Sequence, residues 1–140
     1  MRYLARLFLG FVAGFIAVLA FHQGMLTLLH MWGVTPRLPF NMEPTHPYGV
    51  PQVWSLAFWG GVWGFAFAIF DRIFPRGIGY WILALLFGAI LPTIAAYTLV
   101  PWLKGNPLPA LKPILIAVGM LVNGAWGIGT GLFLRGFSGR

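Results

Sequence analysis

The sequence predicts an all-α polytopic membrane protein, a bundle of four transmembrane helices with both termini cytoplasmic. Three observations predict it. Eleven of the 140 residues are charged, at positions 2, 6, 37, 43, 71, 72, 76, 104, 112, 135 and 140, and between them lie four charge-free windows, 7–36, 44–70, 77–103 and 113–134. A helix needs about 20 mainly apolar residues to cross a ~30 Å hydrocarbon core, so each window holds one crossing and none holds two. The second observation is the 59% hydrophobic content and mean hydropathy of +0.84. Together they exclude a soluble globule and a disordered chain, the latter requiring low hydrophobicity. The third is the placement of aromatic residues. Trp32, Tyr48, Trp54 and Trp102 mark one membrane boundary and Tyr3, Tyr80 and Trp81 the other, as interfacial belts do.

The elements follow in order within a single four-helix transmembrane domain, 1–140. The first span is expected at about 7–32. Arg2 and Arg6 before an apolar run, with Val18-Leu19-Ala20 downstream, also resemble a signal peptide. The apolar run continues through Met31 and Trp32, well past a 7–15-residue signal core, so it is read as an uncleaved first helix. An outer loop, 33–49, follows. Pro36, Pro39, Pro44 and Pro47 exclude regular helix there, and a structureless connection of this length is often functional. The second span is expected at 50–70, and a short turn ends in Pro75-Arg76-Gly77. The third span is expected at 78–101 with Pro92 inside it. A second outer loop, 102–112, leads to the fourth span, 113–134, where Pro113 suits the first helical position.

Charge sets the expected orientation. With four crossings, Arg2, Arg6, Arg72, Arg76, Arg135 and Arg140 fall on one side and Arg37, Lys104 and Lys112 on the other, which favours cytoplasmic termini. Asp71 is expected to pair with its neighbours Arg72 or Arg76. The net charge of +7 is dispersed over termini and loops, so it is no nucleic-acid footprint.

Two groups of residues carry the internal reading. Gly10 and Gly14, Gly60 and Gly64, and Gly127 and Gly131 are G-x-x-x-G pairs that permit close helix approach in lipid. They serve either packing within the bundle or contact with another copy or subunit. A shift of 63 residues also lays Gly61, Trp63, Gly64, Phe70 and Arg72 onto Gly124, Trp126, Gly127, Phe133 and Arg135, a hint of a parallel repeat. The second group is polar. His22, Gln23 and Asn123 fall near the membrane centre, and Thr93, Tyr97 and Thr98 extend a polar trace outward. Unsatisfied polar groups are expensive in hydrocarbon, so these should face the interior. They form either an inter-helix hydrogen-bond network or a small ligand pocket. Trp59, Trp63 and Trp126 lie unusually deep, either packed with the indole N–H bonded or forming a wall for a flat ligand.

Catalytic parts are missing. No cysteine is present, which excludes thiolate chemistry and Cys-ligated metals. No acid or cation lies within the expected spans, which argues against a proton-coupled antiporter or an intramembrane aspartic protease. No nucleophile elbow or phosphate loop occurs. His22 and His30 share one helix, about 12 Å apart along its axis. A bis-His haem would therefore need one His22 from each of two copies. His30 and His46 lack a carboxylate or thiolate to complete a metal set. No cofactor, no metal site and no enzymatic activity are expected.

The stretches Phe21-His22-Gln23-Gly24, Tyr48-Gly49-Val50-Pro51, Ser55 to Gly64 and Val122-Asn123-Gly124-Ala125-Trp126-Gly127 resemble a family of small uncharacterised bacterial inner-membrane proteins. The resemblance implies a four-helix, multi-pass protein of the bacterial inner membrane and transfers no functional residue. Three functions stay open. The first is an accessory or structural subunit, or a self-associating component, with the lipid bilayer, another copy or a larger membrane complex as partner. The second is a small-solute carrier or pore along His22, Gln23, Thr93 and Asn123. The third is a quinone, pigment or haem binder using Trp63 and Trp126.

Overall fold

Each charge-free window folds into a helix long and apolar enough to cross a membrane, which points to a multi-pass membrane protein. The computed structural model describes residues 2–46 and 48–138. Pro47 and Arg140, which entered the loop and charge readings above, lie outside the described residues. The order is α1 (Tyr3–Met31), β1 (Pro44–Thr45), β2 (Val50–Pro51), α2 (Gln52–Ile73), α3 (Ile78–Leu103) and α4 (Pro113–Ser138).

The helices outrun the spans expected from charge. Helix α1 starts at Tyr3 rather than 7 and takes in Arg6; α4 runs to Ser138 rather than 134 and takes in Arg135. Arginine is a good helix former, so a charge marks where the apolar stretch ends without ending the helix. Helix α2 closes with a 3₁₀ turn, Asp71–Ile73. Helix α3 extends to Leu103, past the expected 101, but its bonding breaks at Thr98 before a last short piece, Leu99–Leu103. Within α1, Val18–His22 forms a π-helical turn.

The outer loop is more ordered than its prolines suggest. Pro44 and Thr45 pair antiparallel with Pro51 and Val50. The Thr45 hydroxyl donates to the Val50 carbonyl at 2.7 Å. Proline has no N–H to lose, so a two-residue ladder tolerates Pro44 and Pro51 at its ends. This ribbon takes Val50 and Pro51 from the expected second span, so α2 begins at Gln52. The N–H groups of Gln52 and Val53 then donate to the carbonyls of Glu43 and Asn41, each at 2.9 Å. Helix N-termini leave such donors unsatisfied, and here the loop backbone supplies the acceptors.

Two helix pairs build the bundle. Helix α1 packs closely on α2 and α3 on α4, and α1 against α4 joins the pairs. Both tight seams use glycine. A Cβ on Gly14 would collide with the Gly60 carbonyl, and one on Gly64 with the Gly10 carbonyl. In the second pair, a Cβ on Gly88 would collide with the Asn123 carbonyl and one on Gly127 with the Ala84 carbonyl. Gly64 and Gly127, the positions related by the 63-residue shift, thus do the same work in their respective pairs. Gly131 differs, since it lies against the Tyr80 and Phe67 rings. An aromatic knot of Phe67, Phe87 and Trp126 ties α2, α3 and α4 together, with centroids 5.2 to 6.5 Å apart.

Candidate functional site

The polar residues expected near the membrane centre come together in one string. The π turn inserts one extra residue into α1 and leaves both Val18 and His22 buried, with buried Gln23 next. Such turns are frequent at functional positions. Gln23 uses both ends of its amide. Its Nε2 donates to His22 Nδ1 at 3.0 Å, and its Oε1 accepts the Phe40 backbone N–H at 2.6 Å. The His22 ring lies near the Asn123 side chain on α4. Asn123 Nδ2 in turn donates to the Thr93 hydroxyl on α3 at 2.9 Å. His22, Gln23, Asn123 and Thr93 therefore link the outer loop, α1, α4 and α3. Thr98 does not join them; it is exposed and its hydroxyl donates to the Ile94 carbonyl.

The string fixes the outer cap. Phe40 has φ 52°, the left-handed region, which costs a residue with a Cβ roughly 1–2 kcal/mol. Its N–H on the buried Gln23 oxygen holds that conformation. Beside it, His30 Nδ1 donates to the Thr35 carbonyl at 3.2 Å, closing the turn after α1.

The deep tryptophans separate. Trp126 is buried, and its indole N–H donates to the Gly14 carbonyl at 3.0 Å. Gly60 permits that approach, since a Cβ there would crowd both groups. Trp63 meets Phe87 edge-on, so Phe87 stands between Trp63 and Trp126. Trp59 is 57% exposed, and its ring meets Phe58 edge-on.

The opposite end of the bundle holds a cluster that the sequence did not disclose. Arg6 on α1 forms an ion pair with Asp71 at the end of α2, and both side chains are buried. Tyr80 on α3, also buried, donates its hydroxyl to the other Asp71 oxygen at 2.8 Å. This corrects the expected pairing of Asp71 with Arg72 or Arg76. Successive helix residues do not face one another, and Arg72 lies over the Tyr3 ring at 5.4 Å instead. On α4, Arg135 lies over Tyr80 at 4.7 Å and over Trp81 at 5.7 Å. A cavity of about 360 Å³ opens here, lined by Pro75, Arg76, Tyr80 and Arg135. The available signal was the scarcity of acids: Asp71 and Glu43 are the two acidic residues of the sequence.

Chemically, the first site is a set of polar side chains that hydrogen-bond to one another and to the loop backbone. The second is a buried ion pair beside a cationic cavity. Among the described residues no three His, Asp or Glu side chains gather as a metal-ligand set. No protein-family model, curated protein or solved structure matches this chain.

Proposed function

We propose that this chain is a non-catalytic, multi-pass protein of the bacterial inner membrane, its arginine-rich end and both termini cytoplasmic, acting as a structural or accessory component of a membrane assembly. The observation that carries this reading is how the interior is used. The glycine seams, the polar string and the Trp126 indole all bond or pack between helices of the same chain. The G-x-x-x-G pairs that could have met a partner are thereby occupied within the bundle. What remains for contact is the outer surface, where the capped loop presents Trp32, Leu38, Phe40, Met42 and Tyr48 exposed. The Gln23–Phe40 bond holds that apolar surface in one geometry, and a docking face gains affinity from such preorganisation.

The test places a photo-crosslinking residue at Tyr48, the most exposed of these side chains, and another at buried Ala57. The expected result is a discrete protein adduct from position 48 in intact membranes and none from position 57. A chain that is monomeric in mild detergent and forms no adduct from the cap would sink the accessory role. The carrier reading keeps one supporting observation, the polar string crossing three helices. Solute flux into liposomes that is abolished by His22→Ala and Asn123→Ala, with folding retained, would move the assignment there.

A further inference from the structure

Among the described residues, charge at the arginine-rich end does not balance. Arg2, Arg6, Arg72, Arg76 and Arg135 stand at that end against one carboxylate, Asp71. Asp71 is bonded to Arg6 and Tyr80, and Glu43 immediately precedes the ribbon at the far end of the bundle. Among the described residues Arg6–Asp71 is the sole salt bridge. Arg76 and Arg135 therefore face the same cavity with no carboxylate from the described chain between them.

The Arg135 guanidinium lies over the Tyr80 and Trp81 rings, and the Tyr80 hydroxyl is held by its bond to Asp71. Pro75 stiffens the turn that carries Arg76. An arginine fork matches phosphate oxygens in pairs, which a compact ammonium does not. The cavity also lies where the apolar lengths of α3 and α4 end, the depth of lipid headgroups if the chain spans a bilayer. Basic pockets between helices at that level suit anionic headgroups.

We propose that the cavity lined by Pro75, Arg76, Tyr80 and Arg135 binds the phosphate of an anionic phospholipid headgroup. Arg76 and Arg135 ligate the phosphate oxygens, and Pro75 walls the apolar side. The proposal rests on the membrane reading above but not on the accessory role.

The experiment reconstitutes the full chain in nanodiscs of phosphatidylcholine with a small, varied share of phosphatidylglycerol, and counts retained lipids by native mass spectrometry. The expected result is retention of phosphatidylglycerol over phosphatidylcholine. Arg76→Gln and Arg135→Gln should each weaken it by at least about tenfold, beyond the roughly fivefold per basic residue of a diffuse anionic surface. Arg72→Gln, at the same end but outside the cavity, should stay within that fivefold, and Arg135→Lys should fall between. Equal losses for Arg72→Gln and Arg135→Gln, or no preference for the anionic lipid, overturn the site. Complete displacement of the lipid by millimolar inorganic phosphate would assign the cavity to soluble phosphate and overturn the lipid source. If Arg135→Gln loses helix content, Arg76→Gln, in an exposed turn, decides. A chain that does not enter nanodiscs fails the membrane reading itself, a result distinct from a chain that enters and shows no lipid preference.

Discussion

Arg6 and Asp71 are 65 residues apart in sequence and form an ion pair with both side chains buried, between the first helix and the end of the second. A buried pair is weak evidence of net stabilisation, because desolvation offsets much of the attraction. Removing one partner is different, since it strands a charge. Arg6 is already demanding, its Nε buried with no hydrogen-bond partner among the described residues.

Asp71→Asn is accordingly expected to destabilise the bundle by about 3–5 kcal/mol. The double variant Arg6→Met, Asp71→Asn should lose less than the two single losses combined, since it leaves no buried charge. Thermal unfolding in detergent, followed by tryptophan emission, completes the cycle. Additive losses would show that the two side chains do not interact.

The glycine seam makes a contrasting pair of expectations. Gly14→Ala puts a methyl into the Gly60 carbonyl and should cost about 1–3 kcal/mol as overpacking. Gly24→Ala meets nothing within 4 Å and should be neutral or stabilising by up to about 1 kcal/mol, because alanine is the better helix former. Similar effects at both positions would mean that α1 and α2 do not meet along Gly14.

Gln23→Leu removes the acceptor of the Phe40 N–H and the donor to His22. A global loss of about 1–2 kcal/mol is expected, with faster amide exchange at Phe40 and faster proteolysis of the 35–46 segment. Unchanged exchange at Phe40 would show that the cap is held by other contacts.

Trp126→Phe keeps a ring between Phe67 and Phe87 and deletes the donor to Gly14. Hydrogen bonds between membrane helices average about 0.6 kcal/mol, so a small loss is expected. Trp126→Ala also empties the aromatic knot and should cost about 3–5 kcal/mol. Equal losses for the two variants would place the whole contribution of Trp126 in its indole N–H.

Four apolar helices were legible from the spacing of eleven charges, because burying a charge in hydrocarbon costs so much that its absence over 20 residues is itself a signal. Gln23, His22, Asn123 and Thr93 were legible as interior positions for the same reason. Which of them bond together was not, because partners on different helices have no fixed spacing in sequence. The π turn that sets His22 and Gln23 side by side has no proline or glycine to announce it. Glycine pairs marked sites of close approach, yet only the packing showed that Gly10 and Gly14 meet Gly60 and Gly64 of the same chain. Asp71 shows the limit most clearly. The residue after it in sequence is Arg72, but on a helix adjacent side chains diverge. Its described partners, Arg6 and Tyr80, come from two other helices. Helix content and apolar depth are local properties, carried by composition and spacing. The ion pair, the polar string and the cationic cavity arise where helix ends and faces converge, and that convergence belongs to the tertiary structure.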